Sequence, residues 1–303
     1  MKAVRLHGYG DPNQLVYEEA PDPVPGPGEV LVRLKATSVN PFDWKVRSGA
    51  MQQVFQVQFP KILGSDIAGT VEALGPDTTG FQLGDRVLGV AKTGSYAELA
   101  VADATSLVPL PAGLDEQTAA ALPVIGMTGA ELVEHALEVR PGQKLLVTGA
   151  LGGVGMMAVQ TAADDGAQVW AAVRAAHVKD ASSLPVTGVL AVDDPAALKV
   201  AAATFDAVAD TVGGAVAIST VALIRPGGRF ATVVPPPPPA PPGISVKPHF
   251  MSPDMKILGR LVNLLATGKL RMPKIQTLPL AQAAEAHRLL ASHRAAKVVM
   301  LMG

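Results

Sequence analysis

A glycine-rich turn lies near the middle of the 303-residue sequence, where residues 148–155 read TGALGGVG. It follows the apolar run 144–148 and precedes helix-forming residues at 155–163. A strand, a glycine turn and a helix in this order bring backbone N–H groups and the positive end of the helix dipole to one point, which suits an anion. Gly152 and Gly155 allow close backbone approach and tight helix packing. The spacing predicts a site for the pyrophosphate of a dinucleotide.

The match to the usual G-x-G-x-x-G pattern is incomplete, because Ala150 takes the place of the first glycine. The alternative interpretation is a glycine-rich turn without a ligand. The residues that we assign to the cofactor site in and beside this turn are Thr148, Gly149, Leu151, Gly152, Gly153 and Val154.

A basic residue stands where the next strand is predicted to end, roughly 20 residues past the turn. An enzyme that binds NAD places Asp or Glu there, against the ribose 2′-hydroxyl. This sequence has Arg174, with Lys179 nearby and no acid at the strand end. Guanidinium and ammonium groups attract a 2′-phosphate. The pattern favours NADPH, the alternative being that both residues are solvated surface charges.

Residue types that bind transition metals are scarce. The sequence contains no cysteine, which excludes disulfides, thiolate chemistry and cysteine-ligated metals. None of its six histidines pairs with another or with a carboxylate at metal-ligand spacing such as His-Glu-x-x-His. We therefore predict no metal site.

Composition excludes several classes of partner. The chain has 25 Lys and Arg against 26 Asp and Glu, a net charge of -1, so no strong field recruits nucleic acid or an anionic membrane. No apolar stretch has the length of a membrane span, and the first residues lack a signal-peptide pattern. The length favours two domains. We expect a cytoplasmic protein that binds neither nucleic acid nor membranes.

The elements that position these residues change in character along the chain. Over the first ~110 residues, short alternating strands are predicted at 3–6, 29–36, 67–74 and 86–90, with Pro- and Gly-rich turns between them. From about residue 115, helices alternate with buried strands, and a βαβ unit spans 144–173. Such units imply a parallel sheet. The sequence predicts an α/β protein with a β-rich first domain and a doubly wound Rossmann domain.

The remaining elements are predicted from the same kinds of pattern. The proline run at 235–242 is stiff, and we predict a short rigid loop at the sheet edge rather than a recognition motif. The apolar run 296–301 is expected to be a strand that returns to the first domain. The other predicted elements are strands at 188–192, 207–210 and 228–234, and helices from Asp115 and at 127–139, 253–268 and 280–293.

Several short motifs occur together, and their combination is much more specific than any one alone. Besides the glycine turn they are Asn40-Pro41-Phe42-Asp43, Gly64-Ser65-Asp66, Gly84-Asp85-Arg86-Val87, Gly126-Met127-Thr128 and Asp210-Thr211-Val212-Gly213-Gly214. With them the chain resembles, nearly end to end, the medium-chain dehydrogenase/reductase superfamily in its zinc-independent quinone oxidoreductase and enone reductase branch. The resemblance implies a GroES-like β-barrel-type catalytic domain, a Rossmann NADPH-binding domain, an active site between them and commonly a homodimer.

We expect the catalytic domain to span 1–118, completed by 269–303, and the cofactor domain to span 119–268. By the resemblance, Asn40 and Asp43 match the family's N-P-x-D motif beside the nicotinamide and the substrate. Thr128 matches a position that packs on the nicotinamide, and Arg174 matches the 2′-phosphate site. With Lys45 in the same loop, Asn40 and Asp43 form the expected catalytic group.

Two departures from the family pattern bear on the chemistry. Zinc alcohol dehydrogenases of this superfamily have a Gly-His-Glu segment and cysteines that hold catalytic zinc, whereas this chain has Gly64-Ser65-Asp66 and no cysteine. The branch often has tyrosine where Lys45 stands. For Asp43 and Asp66 the alternative to a catalytic role is a structural one, because short acidic side chains in Pro- and Gly-rich loops commonly hydrogen-bond to the local backbone.

The chemistry that suits these residues is hydride transfer from NADPH to an electron-poor small molecule, a quinone or an α,β-unsaturated carbonyl. Lys45, Asn40 or a backbone N–H would polarise the developing enolate. Phe42, Trp44 and Phe250 are the candidate substrate-binding aromatics, with Tyr96 as a further one. Two alternatives remain: a redox-silent NADPH-binding protein of the crystallin or sensor type, and an enoyl reductase that acts on carrier-bound chains.

Overall fold

The structure, a computed structural model, describes residues 1–292 and 296–303, so that His293 lies outside the described residues. The strands are β1 (Lys2–Leu6), β2 (Leu15–Glu19), β3 (Glu29–Val39), β4 (Lys61–Ile62), β5 (Asp66–Leu74), β6 (Arg86–Val90), β7 (Leu99–Asp103), β8 (Leu107–Pro109), β9 (Lys144–Thr148), β10 (Gln168–Val173), β11 (Gly188–Ala191), β12 (Phe205–Asp210), β13 (Ile224–Thr232), β14 (Ser245–Pro248), β15 (Ile275–Pro279) and β16 (Lys297–Leu301). The helices are α1 (Pro41–Ser48), α2 (Glu116–Ala120), α3 (Pro123–Glu131), α4 (Gly153–Asp164), α5 (Val178–Ala181), α6 (Pro195–Val200), α7 (Gly214–Val221), α8 (Met255–Ala266) and α9 (Ala283–Ala291).

The chain forms two compact units: unit 1 comprises Met1–Val124 and Pro253–Gly303, and unit 2 comprises Ile125–Ser252. Both boundaries differ from the expected ones. Residues 119–124 stay with unit 1 because α2 packs on β3 and β5. Residues 253–268 also belong to unit 1, since α8 buries one apolar face and packs against β8.

Unit 1 is rich in antiparallel sheet, as its alternating sequence predicts. Its larger sheet has the order β15-β16-β3-β5-β6-β8, with β7 also paired to β3, and a smaller sheet has the order β2-β1-β4. The last strand, β16, pairs antiparallel with β3, so that Val298 lies opposite Val39. This pairing brings Lys297 next to the end of β3, where α1 begins.

The segment after β3 forms a helix, whereas its prolines and glycines had predicted a loop. Pro41 occupies the first turn of α1, where its missing N–H costs nothing, and Gly49 ends the helix at φ 84°. The carboxylate of Asp43 accepts a hydrogen bond from the backbone N–H of Asn40, the residue before the helix, at 2.8 Å. An Asn and an Asp three residues apart around a proline are typical of a helix start, a signal that the loop prediction overlooked.

Unit 2 contains one parallel six-stranded sheet with the order β11-β10-β9-β12-β13-β14. Alternate residues of β9 point to opposite faces: Leu145 and Val147 join one apolar core, and Leu146 joins the other. The strand order reverses between β9 and β12, the position at which doubly wound folds bind their ligands. The glycine turn follows β9, directly beside this reversal.

Unit 2 also contains the proline run and the helix predicted at 127–139. The proline run at 235–242 forms an irregular connection between β13 and the edge strand β14, so it lies at the sheet edge where a loop was predicted. The helix predicted at 127–139 begins earlier, at Pro123, and changes at Leu132–Ala136 to a wider helical turn. Among the described residues, no helix has the length and apolar character needed to cross a membrane.

Candidate functional site

The glycine turn of unit 2 leaves the start of α4 without a side-chain cap. β9 ends at Thr148, and Gly149 then adopts φ 62°, a conformation that favours glycine. Gly152 precedes the helix and has no side chain to cap it. The first N–H groups of an α-helix have no intrahelical acceptor. The turn therefore presents N–H donors and the positive end of the helix dipole, the features that bind a phosphate.

Two glycines of the turn, Gly149 and Gly155, are required by close contacts with neighbouring atoms. A Cβ placed on Gly155 would overlap the carbonyl oxygen of Gly149. A Cβ on Gly152 would lie 3.2 Å from the same oxygen, and one on Gly149 would lie 2.5 Å from Oγ1 of Thr211. A side chain at Gly149 or Gly155 would therefore displace the turn, whereas one at Gly152 would need only a small shift.

A buried acid, Asp210, holds the carboxyl ends of three neighbouring strands together. Its carboxylate accepts hydrogen bonds from Oγ1 of Thr148 at 2.7 Å, Oγ1 of Thr232 at 2.6 Å and the backbone N–H of Gly213 at 3.0 Å. Thr211 donates from its Oγ1 to the carbonyl oxygen of Thr148 at 2.7 Å. The hydroxyl of Thr148 is therefore engaged within the protein, and Thr148 positions the turn.

The two basic residues predicted to select NADPH are both exposed. Arg174 follows β10 directly, and Lys179 lies in α5. The backbone N–H of Ala175 donates to Oδ1 of Asp193 at 2.7 Å, which fixes the turn that carries Arg174. Asp193 follows β11, so its proximity to Arg174 depends on the pairing of β10 with β11, which residue spacing alone does not reveal.

The remaining cofactor candidates lie around the start of α4. Leu151 packs against the apolar core of unit 2, and Gly153 and Val154 begin the helix. Thr128 is buried in α3, and a Cβ on its neighbour Gly129 would lie 2.7 Å from the carbonyl oxygen of Val154. The structure therefore brings Thr128 and the glycine turn into one region of unit 2.

In unit 1, Asn40 belongs to a buried polar cluster with Asp66 and Lys297. The amide Nδ2 of Asn40 donates to Oδ2 of Asp66 at 2.7 Å, and Nζ of Lys297 donates to Oδ1 of Asn40 at 2.7 Å. Asp66 also accepts hydrogen bonds from the hydroxyl of Ser38 and, at 2.7 Å, from the backbone N–H of Val124. Both charged groups thus have the partners that burial demands.

Asp43 ends a second buried chain of hydrogen bonds whose direction follows from the donors. Arg47 can only donate, so Nδ1 of His287, 3.3 Å from Nε of Arg47, is an acceptor. Nε2 of a neutral His287 then carries the proton and donates to the oxygen of Tyr96 at 3.1 Å. The hydroxyl of Tyr96 in turn donates to Oδ2 of Asp43 at 2.9 Å. The chain is consistent only with a neutral imidazole.

Burial sets the protonation of these groups. Desolvation raises the pKa of Asp43 to about 6, although hydrogen bonds from Asn40 and Tyr96 oppose the change. Desolvation, with the nearby charge of Arg47, lowers the pKa of His287 to about 3. Burial also raises the pKa of Tyr96 well above its usual value. At neutral pH Asp43 is ionised, whereas His287 and Tyr96 are uncharged.

Lys45 and the candidate aromatics lie outside these buried clusters. Lys45 is half-buried, and this burial lowers its pKa. Its Nζ lies 6.0 Å from the ring centroid of Trp44, and it has no acidic partner among the described residues. Phe42 is exposed and packs edge-on against Phe55 at 5.4 Å between ring centroids. Phe250 is exposed in unit 2.

Comparison with known proteins places the chain in a family. The alcohol dehydrogenase GroES-like domain family matches residues 26–112, and the zinc-binding dehydrogenase family matches residues 188–300. A solved structure described as an NAD-dependent alcohol dehydrogenase is 30% identical, has a TM-score of 0.90 and covers 100% of both chains. The quinone oxidoreductase of Pseudomonas aeruginosa is 39% identical over 169 residues, 55% of this chain and 51% of that protein. The chain belongs to the medium-chain dehydrogenase/reductase superfamily, in its quinone oxidoreductase branch.

This chain covers very different shares of two further relatives. The structure of the quinone oxidoreductase from Coxiella burnetii has a TM-score of 0.88 at 26% identity and covers 99% of both chains. The Streptomyces venezuelae component PikAII of the pikromycin polyketide synthase is 34% identical over 221 residues, 70% of this chain but 6% of that protein. The chain spans about half the length of the curated quinone oxidoreductases that it matches.

Several residues of the two buried clusters were not predicted from the sequence. Lys297 had a visible signal, a lysine in an otherwise apolar strand. His287 and Arg47 had none, since they are 240 positions apart and meet only through packing of α9 on α1. Asn40 and Asp43 were predicted, but their side chains are tied to different partners and form two separate clusters.

Proposed function

We propose that this chain is an NADPH-dependent oxidoreductase that transfers hydride to a quinone or an α,β-unsaturated carbonyl and does so without zinc. The observation that carries the proposal is the uncapped glycine start of α4 after β9. It is supported by the membership of the quinone oxidoreductase branch and by the similarity, at 27% identity and a TM-score of 0.87, to a mycobacterial structure complexed with NADPH.

The residues of unit 2 fit a dinucleotide phosphate. The glycines at 149, 152 and 155 let the turn pack closely on itself and on Thr211, and the bare helix start supplies N–H donors. Arg174 and Lys179 would attract the 2′-phosphate that distinguishes NADPH from NADH. When bound, the nicotinamide supplies the hydride. The protein would then hold the cofactor and stabilise the charge that develops on the acceptor.

Zinc, which the name of the second matching family implies, does not fit the donors of this chain. Cysteine is absent from the sequence, and the described residues contain no group of three or more His, Cys, Asp or Glu placed to hold a metal. Asp66 already accepts four hydrogen bonds, one of them from the ammonium of Lys297, which lies 3.4 Å from its Oδ2. A cation beside that carboxylate would be repelled by Lys297.

The decisive experiment is a steady-state screen of NADPH oxidation against quinones, enones, alkenals and enoyl thioesters. We expect turnover with a quinone or an enone, and the same rate after dialysis against a chelator. Loss of activity on chelation would contradict the zinc-free mechanism. NADPH binding without oxidation by any acceptor would favour the redox-silent alternative.

Replacing Arg174 tests the choice of cofactor. Arg174→Ala removes a positive charge from the expected 2′-phosphate site, so we expect kcat/KM for NADPH to fall about tenfold, the effect of one exposed charge-assisted contact. The value for NADH should change by less than about twofold. Steady-state kinetics with both cofactors measures the ratio. Arg140→Ala, in the loop before β9, is a control in unit 2. An unchanged preference for NADPH over NADH in Arg174→Ala would contradict the assignment of Arg174 to the 2′-phosphate site.

A second candidate, an enoyl reductase that acts on carrier-bound chains, is favoured by one comparison. The matching polyketide synthase component is much longer than this chain, of which it matches 70%. Enoyl thioesters in the acceptor screen separate the two candidates. Turnover of a carrier-bound enoyl thioester well above that of free quinones and enones would favour the second.

We propose further that the chain forms a homodimer. Strand β14 lies at the edge of the unit 2 sheet and pairs only with β13 among the described strands. An unpaired strand edge is a ready template for pairing with a second chain. Light scattering coupled to gel filtration measures the mass in solution.

A further inference from the structure

Lys297 is a buried lysine in the apolar final strand of unit 1. The residue is 1% exposed, and its strand neighbours are Val298, Val299 and Met300. The ammonium Nζ lies 2.7 Å from Oδ1 of Asn40 and 3.4 Å from Oδ2 of Asp66. A buried ammonium is costly unless it is paired and hydrogen-bonded. An apolar residue would serve the strand itself better, so the lysine calls for a separate explanation.

Lys297 and Asp66 together fix the orientation of the Asn40 amide. An ammonium can only donate, so the atom of Asn40 that faces Lys297 is the carbonyl oxygen. An ionised carboxylate can only accept, so the atom that faces Asp66 is Nδ2, at 2.7 Å. Rotating the amide by half a turn would place like groups against each other on both sides. Asn40 is therefore held in one orientation.

One amide proton of Asn40 is left over. Nδ2 carries two protons, of which one is donated to Asp66, and no acceptor for the other occurs among residues 1–292 and 296–303. The ammonium on Oδ1 draws electron density from the amide and strengthens its N–H groups as donors. A strengthened donor without an acceptor suits a ligand oxygen that gains negative charge.

We propose that Lys297 is a positioning residue for the reduction: it orients and polarises Asn40, whose second Nδ2–H then donates to the acceptor's carbonyl oxygen as negative charge develops there. The inference rests on the proposed function and specifies its substrate class, acceptors whose reduction places charge on a carbonyl oxygen. With an enone, the hydride bonds to the β-carbon and the carbon–carbon π pair moves to give the enolate. The hydride would come from bound NADPH, which would be oxidised to NADP+; Asn40 would keep its proton, and water would protonate the α-carbon.

The test compares three variants of the full-length protein. Lys297→Met removes the ammonium. Lys297→Met with Asp66→Asn removes both charges, so that no unpaired buried charge remains to unfold the protein. Val299→Ala, also in β16, removes buried volume without touching Asn40. Each is measured for Tm, for the Kd of NADPH by fluorescence titration, and for kcat with a quinone and an enone.

We expect both Lys297 variants to lower kcat about 100-fold, the loss typical of a weakened oxyanion donor, with a Kd for NADPH within threefold of wild type. The double variant should recover Tm but not kcat. Val299→Ala should lower Tm and keep kcat within threefold. The isotope effect with deuterated NADPH should be expressed fully in the Lys297 variants, because hydride transfer becomes the slow step.

Three results would overturn the inference. Recovery of kcat together with Tm in the double variant would reduce Lys297 to a structural role, as would a fall in kcat that tracks Tm across all three variants. A rise in the Kd for NADPH at constant kcat would assign the residue to cofactor binding. Failure of the wild type to oxidise NADPH with any acceptor would instead reject the proposed function, and the inference with it.

Discussion

Gly155→Ala is expected to weaken NADPH binding about 100-fold, or roughly 3 kcal/mol. The added Cβ would overlap the carbonyl oxygen of Gly149, and both atoms belong to the backbone turn or attach directly to it. Neither can rotate away as a flexible side chain would, so the turn and the first residues of α4 must shift. The N–H groups predicted to hold the pyrophosphate then lose their alignment. Fluorescence titration with NADPH measures the effect.

Two other glycines give graded controls for this substitution. In Gly152→Ala the new Cβ would lie 3.2 Å from the same oxygen, so a displacement of a few tenths of an ångström suffices and a smaller loss of affinity is expected. In Gly259→Ala, within α8, nothing lies within 4 Å. That variant should bind NADPH as wild type does and gain up to ~1 kcal/mol of stability from helix propensity. Equal affinities in all three variants would rule out the phosphate turn.

The sequence predicted those elements whose residues carry a local signal. Strands β6, β9 and β10 begin and end where their apolar runs do, since alternation or continuous hydrophobicity is visible within five or six residues. The short strand β14 went unpredicted, because only its pairing with β13 makes Ser245–Pro248 a strand. The helix α1 was missed for a different reason: its start signal was present, but the surrounding prolines and glycines suggested a loop.

The candidate site likewise has a part that could be predicted from the sequence and a part that could not. The glycine turn was predictable because its glycines, strand and helix are consecutive in sequence. The partners of Asn40 and Asp43 come from β5, β16 and the residues before β7, and α9 adds His287 behind Tyr96; the chain brings these together only through sheet pairing and helix packing. A catalytic role for Asn40 and Asp43 was predicted from the family resemblance, and it stays a prediction. The pairing of β16 with β3 adds which neighbours control it.

The buried chain that ends at Asp43 predicts two opposing effects of pH on stability. Asp43 has an ordinary pKa of 3.8 and a folded pKa of about 6. Between these values the folded protein holds the proton and the unfolded chain does not, so Asp43 makes stability fall as pH rises from about 4 to 6. His287 has an ordinary pKa of 6.5 and a folded pKa of about 3. There the unfolded chain binds the proton, so stability falls as pH decreases from 6.5 towards 3.

In the wild type the opposing effects of Asp43 and His287 on the free energy of unfolding cancel between about pH 4 and 6. Substituting either residue alone makes the effect of the other, or its own loss, measurable. In Asp43→Asn the free energy of unfolding, relative to wild type, should rise by roughly 3 kcal/mol between pH 4 and 6, at about 1.4 kcal/mol per pKa unit. In His287→Gln the difference from wild type should instead grow as pH falls, by up to roughly 5 kcal/mol between pH 6.5 and 3.

Urea denaturation at a series of pH values measures both differences, and subtraction of the wild-type curve removes the contribution of all other titrating groups. The double variant Asp43→Asn with His287→Gln should parallel the wild type between about pH 4 and 6, because both opposing slopes are then absent. Parallel curves for wild type and Asp43→Asn would mean that the carboxylate is hydrated in the folded protein. Because Tyr96 donates its hydroxyl proton to Asp43, Tyr96→Phe should raise the pKa of Asp43 further and extend the fall in stability to higher pH.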